Sequence, residues 1–282
     1  MSRHAVGTRS SARRHQLSTG LAKLSWAADT IRRADNWPSV GARTILEWLG
    51  GSGGTFTVRT RSGVTVEAPS HGEARTPLIE VLAQDIYRLG RAQLDPAIAY
   101  EVLDIGAHVG AFTCLLASKL PRSRFTCVEP SSTSIEWLSR NIQVNHIPDR
   151  VAVVHAAVDI DDGMVPFWEP SASSSLASLT AIPDATSTLV RTCSFDSLVH
   201  GLGDGPLIVK MDCEGGEYGA ILRSKPDSWS TVHWLFLEYH PHDTFEFDEI
   251  ADRLQDLGLT IVWNDCNSTT PGLGLACFMR DH

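Results

Sequence analysis

Three stretches of the chain hold residues whose types and spacing can do chemistry. The first, VLDIGAHVGAFTCLLASKL at 102–120, runs an apolar strand into Asp104, then a turn carrying Gly106 and Gly110, then a helix. Glycines at such a turn let the backbone bend sharply and approach a ligand closely, and the helix N-terminus offers amide donors. The second, RFTCVEP at 124–130, is a strand ending in Glu129, nineteen residues after Gly110. A carboxylate there is placed to accept hydrogen bonds from both hydroxyls of a ribose. NAD sites typically read G-x-G-x-x-G, whereas here Asp104 leads a D-x-G-x-x-x-G spacing with no evident pyrophosphate cradle, so the expected ligand is a nucleoside without phosphates. The third set stands at the ends of two later strands, Asp212 after PLIVKM and Glu238 and His240 in FLEYH. It admits two readings. His240 or a neighbouring carboxylate is a general base, since imidazole titrates near ~6.5; or Asp212, Glu238 and His240 together hold a divalent cation such as Mg2+ that acidifies a bound hydroxyl. With no recognised metal-ligand spacing, direct base catalysis is preferred. Glu214 joins the catalytic candidates, while Glu217 reads as charge complementing a helix N-terminus. Lys210, inside an apolar strand, is expected to pair with Glu214, Glu217 or Glu238 as a structural ion pair.

These groups need elements to position them. From Tyr100 onward, short apolar runs alternate with helical stretches, the pattern of a parallel sheet with crossover helices. Strands are predicted at 100–104, 124–128, 151–156, 206–212, 232–238, 259–263 and 275–280, with helices near 110–120, 131–145, 216–223 and 245–257. Ligands of such sheets lie beyond the carboxyl ends of the strands. Upstream, TILEWL (44–49) with the glycines of 50–54 predicts a short helix and a turn, and FTVRTRSGVTVEA (56–68) a hairpin turning at Ser62-Gly63. ARTPLIEVLAQDIYRL (74–89) places Leu78, Val81, Leu82, Ile86 and Leu89 on one helical stripe. Residues 160–195 break the alternation with a Ser/Pro/Thr-rich stretch between possible strands MVPFW and LVRTCSF, and a loop of that length is expected to be mobile or a lid.

The chain is 43% hydrophobic and 20% charged, the make-up of a folded globular protein rather than a disordered or fibrous one. Its net charge of -9 puts nucleic-acid binding at a disadvantage. The charge is uneven: residues 1–43 carry eight basic groups against two acids, and the remainder 16 against 31. The Ser/Arg-rich start lacks the apolar core of a secretory signal and reads as a partly disordered arm. No run approaches the ~20 apolar residues of a membrane span. Six cysteines without a C-x-x-C pair read as free core residues, giving no disulfide framework or zinc site and a reducing, cytoplasmic setting.

With VLDIGAHVGAFT, CVEPSSTSIEWLSRNIQVN, LIVKMDCEGGEYGAIL and FLEYH, the chain resembles the class I S-adenosylmethionine-dependent methyltransferases and, within them, the FkbM family. The resemblance covers roughly 56–280, and K-x-D-x-E-G-x-E (Lys210, Asp212, Glu214, Gly215, Glu217) is its most specific part. It implies an α/β, Rossmann-like fold: a seven-stranded, mostly parallel sheet with an antiparallel last strand and helices on both faces. The expected organisation is a basic arm at 1–43, a helix and hairpin extension at 44–98 and an S-adenosylmethionine-binding domain at 99–282. It implies further that Asp104 and the backbone of Gly106, Ala107 and Gly110 hold the methionine portion, with His108 standing where relatives have glycine or asparagine. Glu129 would bind the ribose, Pro130 and Ser131 would flank the adenine, Ala156-Ala157-Val158 would wall it, and Asp159 or Asp161 would accept from its amino group. Asp212 counts on both the cofactor and the catalytic side. The expected function is O-methylation of a small-molecule hydroxyl, on a sugar or secondary metabolite, by an enzyme that can pair as a homodimer. N-methyl transfer to an amine, RNA methylation through the basic arm, and a non-catalytic nucleoside-binding module are the alternatives.

Overall fold

The computed structural model describes residues 32–48, 53–70, 76–169, 186–268 and 270–280. Most of the basic arm, 1–31, and the Ser-rich stretch 170–185 lie outside the described residues. The chain opens with helix α1 (Trp37–Trp48) and a hairpin of β1 (Thr55–Arg59) and β2 (Thr65–Pro69). There follow β3 (Glu101–Ile105), α2 (Ala111–Lys119), β4 (Arg124–Glu129), α3 (Ser132–Val144) and β5 (Val151–His155). Next come β6 (Ala157–Asp159), β7 (Gly163–Glu169), β8 (Thr186–Ser194), α4 (Phe195–His200), β9 (Leu207–Met211) and α5 (Glu217–Arg223). The described chain ends with β10 (Val232–Tyr239), α6 (Phe247–Asp256), β11 (Leu259–Cys266) and β12 (Gly274–Arg280).

Seven strands form the central sheet in the order β11-β12-β10-β9-β3-β4-β5. The five from β10 to β5 are parallel neighbours, and the last strand, β12, runs antiparallel between β10 and β11. Every residue of β9 is buried, the apolar pattern of a central strand covered on both faces. One face packs Phe56, Val66, Leu116 and Leu138 from the hairpin, α2 and α3; the other packs Tyr218, Trp229 and Ile250 beneath α5 and α6. The α/β reading, with helices on both faces, is what the residues fold into.

The hairpin is stitched to α3 by Asn141 and by Asn145, the residue one turn on that caps the helix C-terminus. Asn141 accepts from the Glu67 amide and donates to the Glu67 carbonyl, and Asn145 does the same with Thr65. The two side-chain amides thus act as a substitute strand for β2, satisfying backbone groups that would otherwise lie unpaired. An Ala34–Thr60 bridge ties the residues before α1 to the same hairpin, and α1 runs through the expected 43/44 boundary.

The stripe at 74–89 is not one α-helix: a single turn, Thr76–Leu78, passes into a π-helix, Ile79–Gln84, and ends at Asp85 with φ 56°. Asp85 captures the chain by accepting from the Leu89 and Gly90 amides and pairing with Arg33, so the helical ladder stops there. The two strands expected within 160–195 are present as β7 and β8, which pair antiparallel, and β8 joins β6 in a separate three-stranded sheet; the loop expected between them lies outside the described residues. The cysteines are free as expected, but Cys266 is exposed rather than core. No helix among the described residues is long and apolar enough to cross a membrane.

Candidate active site

A cavity of about 220 Å³ opens beyond the carboxyl ends of β3, β4, β9 and β10. Its first end is built from backbone. Gly106 has φ +71°, and a Cβ there would stand 1.7 Å from the Asp212 carbonyl oxygen, so the turns after β3 and β9 approach as only glycine permits. His108 is left-handed at φ 48°, which aims its amide at the Glu129 carboxylate (2.8 Å to Oε2); the Ser131 amide donates to Oε1 at 2.9 Å. Burial pushes Glu129 up to about 7 despite those two amides. Burial lowers His108 to about 4, so its ring is neutral.

Beneath this turn lies a buried strut. Lys210 Nζ donates to the carbonyls of Ile105 (3.2 Å) and Gly106 (2.6 Å) and pairs with Asp104 (3.6 Å) and Asp212 (3.3 Å). Burial pulls the ammonium down, but Asp212, Asp104 and Glu238 outweigh it and hold the pKa above its ordinary value. Asp104, fully buried, also accepts from the Thr113 hydroxyl at 2.7 Å.

The second end is built from charged side chains. Glu80 of the π-helix, Asp212, Glu214 and Glu238 all line the cavity. Burial raises Glu214 to about 7 and lifts Glu238 as well, the Asp212 charge adding to both, although His240 opposes. Behind them, fully buried Glu217 closes the turn after β9 by accepting from the Cys213 amide (2.7 Å) and the Gly215 amide (2.8 Å). The same carboxylate meets His240 Nδ1 at 3.1 Å, turning Nε2 toward Glu214 (3.5 Å) and Asp212 (4.0 Å). Burial lowers the His240 pKa, yet its Glu217 hydrogen bond and the three carboxylates raise it to about 10.

A family model described as the methyltransferase FkbM domain matches residues 104–260, which takes in both ends of the cavity. The chain belongs to the FkbM methyltransferase family. Release factor glutamine methyltransferase of Chlorobaculum tepidum is 30% identical over 76 residues, 27% of this chain, and the match spans 26% of that protein's length. Among solved structures, a putative transferase from Pyrococcus horikoshii is 11% identical with 84% of this chain and 80% of that one covered, at a TM-score of 0.47. Precorrin-6y C5,15-methyltransferase from Geobacter metallireducens GS-15 is 12% identical over 71% of this chain and 88% of that one, at 0.40. A putative tRNA (m1A22) methyltransferase from Streptococcus pneumoniae, in complex with S-adenosyl-L-methionine, is 13% identical over 65% and 67%, at 0.38.

In this FkbM methyltransferase the fold brings Gly106, Ala107, His108, Glu129, Pro130, Ala156, Ala157, Val158, Asp212, Glu214 and Glu238 onto one cavity. Other expected site residues stand behind it. Asp104 is buried under the turn, Gly110 (φ 84°) caps α2, and Ser131 caps α3 by accepting from the Ser134 amide. His240 lies one layer back from the lining, where burial is outweighed by its Glu217 hydrogen bond and the carboxylates of Asp212 and Glu214, which hold its pKa above the ordinary imidazole value. Neither Asp159 nor Asp161 reaches the cavity; Asp159 turns back to accept from the Ile160 amide. Lys210 pairs with Asp104 and Asp212 instead of Glu214, Glu217 or Glu238, because its cross-strand neighbour on β3 is Asp104. Glu80, in the π-helix, and Tyr87, just beyond it, line the same cavity as Asp212, more than 120 residues further along the chain, and no local pattern marks them. Glu217 was legible as a helix-start acid, but its grip on His240 was not.

Proposed function

We propose that this methyltransferase uses S-adenosylmethionine to methylate a hydroxyl of a small neutral or cationic molecule, a sugar or secondary metabolite. The observation that carries the reading is the division of one cavity into a backbone-built end around Gly106 and Glu129 and a carboxylate-lined end around Asp212, Glu214 and Glu238. The residues at the first end fit the cofactor. The cradle at Gly106 has no room for a side chain, and Glu129 keeps lone pairs beyond its two amide bonds for ribose hydroxyls. Ala156, Ala157 and Val158 offer an apolar wall for a base, completed by Phe167 of β7.

When bound, the cofactor supplies a sulfonium methyl whose carbon–sulfur bond breaks, the electron pair staying on sulfur, as an acceptor oxygen takes the carbon. The chain contributes position and proton removal. Asp212, Glu214 and Glu238 face the acceptor end, where a carboxylate takes the hydroxyl proton, and Val81, Ile86 and Tyr87 form a dry wall opposite. The same acids oppose a phosphorylated acceptor or an RNA strand. Glu80 on the far wall favours one rival, N-methyl transfer, because it adds a carboxylate that attracts an ammonium.

Calorimetric titration with S-adenosylmethionine and S-adenosylhomocysteine, once with magnesium and once with EDTA, tests the cofactor; saturable binding is expected. Radiolabelled methyl transfer to a panel of hydroxyl compounds, amines and RNA tests the acceptor. Absence of binding in both buffers removes the cofactor assignment, and label recovered only in amines or RNA replaces the hydroxyl.

A further inference from the structure

The wall that the N-terminal extension gives to the cavity carries two polar side chains, Glu80 and Tyr87. We infer that they form a subsite for a protonated amine, the carboxylate meeting its charge and the phenol oxygen accepting one of its N–H groups, and that this amine belongs to the acceptor. The last step rests on the methyl-transfer reading; the subsite itself does not.

The first observation is that neither group has a partner. Among the described residues the Glu80 carboxylate and the Tyr87 hydroxyl make no hydrogen bond or ion pair, although both line the cavity. Tyr87 is 2% exposed, and its ring stands edge-on to Phe112 (5.3 Å between centroids) and Phe236 (6.4 Å), so its direction is set before anything binds. A buried phenol ordinarily finds a hydrogen-bond partner, and one left open toward a cavity is satisfied by what enters it. The second observation is how Glu80 is placed. It projects from a π-helix, a conformation that is rare and concentrated at functional sites. Asp85 fixes the end of that helix by accepting from the Leu89 and Gly90 amides and pairing with Arg33, so the wall is held in place.

Charge decides the ligand class. Glu80, Asp212, Glu214 and Glu238 put four carboxylates on the cavity, and Lys210, the one lysine lining it, already pairs with Asp104 and Asp212. No arginine among the described residues lines it. Burial and then the Asp212 charge raise the Glu80 pKa; burial and then Asp212, Glu238, Asp104 and Glu80 raise that of Tyr87, which stays a phenol. An ammonium relieves this crowding of like charge, a neutral ligand leaves it, and an anion worsens it. Val81 and Ile86 beside the two polar groups suit the carbon skeleton that carries the amine. The subsite acts on binding whichever atom takes the methyl, a hydroxyl of the same molecule or the amine once its proton has left.

The test is saturation-transfer NMR on the full chain with matched probes, glucosamine against glucose and cyclohexylamine against cyclohexanol, with and without S-adenosylhomocysteine. Each amine is expected to bind at least about tenfold tighter than its neutral counterpart. Glu80→Gln abolishes that preference, and Tyr87→Phe, which removes one oxygen and keeps the ring, lowers it about threefold. Glu136→Gln on the exposed side of α3 leaves it unchanged, and thermal melts confirm that each variant is folded. Equal binding within the pairs, no binding of either amine, or a preference that survives in Glu80→Gln overturns the subsite. Calorimetry with S-adenosylhomocysteine decides whose amine it holds. Unchanged affinity in Glu80→Gln assigns it to the acceptor, whereas a loss of about tenfold gives the subsite to the cofactor's own ammonium and overturns the acceptor assignment. Failure of the unaltered chain to bind S-adenosylhomocysteine defeats methyl transfer alone, because the amine preference is still read from the cofactor-free samples.

Discussion

The two ends of the cavity are made of different materials. Around Gly106, His108 and Glu129 the working parts are backbone amides and a single carboxylate, set by left-handed residues at the turn after β3. Around Asp212, Glu214, Glu238 and His240 they are charged side chains from strand ends that hold one another in balance. The first end is rigid because it is steric, and a substitution there displaces main chain. The second is tunable because it is electrostatic, and a substitution there redistributes charge over neighbours that stay in place.

That contrast can be broken experimentally, beginning with its steric half. Gly106→Ala sets a methyl against the Asp212 carbonyl and disfavours φ +71°, so it disturbs both ends at once. Turnover is expected to fall by ~100-fold or more, since ~1 Å of misplacement has that effect. A steady-state assay showing near-normal rates would mean that the two turns are soft. Lys210→Met removes the strut between the ends and strands two carboxylates, one fully buried; urea unfolding is expected to show a loss of about 3–5 kcal/mol. A loss under about 1 kcal/mol would place the pair among ion pairs of little worth. Asn141→Ala, behind the cavity wall, leaves the Glu67 amide and carbonyl and the Val109 carbonyl without their partner. It is expected to destabilise by about 3 kcal/mol while sparing cofactor affinity, and an affinity change would make the hairpin part of the site.

The gentlest probe is pH. Burial raises Glu129 to about 7, so the folded protein binds a proton there that the unfolded chain, with an ordinary carboxyl, does not. Between those two pKa values the group therefore lowers stability as pH rises, and its contribution is fully present only below the unfolded value. Cofactor binding has the opposite sign, because ribose hydroxyls need the carboxylate as acceptor. Affinity is expected to fall about tenfold per pH unit below 7, with proton release on binding visible as a buffer-dependent heat. A flat affinity from pH 5.5 to pH 8 would remove Glu129 from the ribose.

Much of this architecture was readable from the chain. The apolar runs, LIVKM among them, mark the strands of the central sheet to within three residues of their ends, and the turn glycines stand out because few other residues take φ near +71°. The π-helix escaped notice because its apolar stripe is the same as an α-helix's; only the capture of Asp85 by two amides and Arg33 distinguishes them. Asn141 and Asn145 were visible as part of a motif but had no assigned work, since a side chain that mimics a strand has no periodic signature.

Sequence alone determined the α/β class, the order of the elements, the glycine turn and the acid at the end of β4, for these are local: each follows from steric limits or burial pattern within a few residues. Tertiary structure decided which charges meet. Lys210 chooses Asp104 over the glutamates because β9 lies in register with β3, Glu217 rather than solvent holds His240, and Glu80 reaches the site from a π-helix. Coulomb interactions act through space and not along the chain, so partners from different strands share no sequence signal until the sheet brings them within a few ångströms.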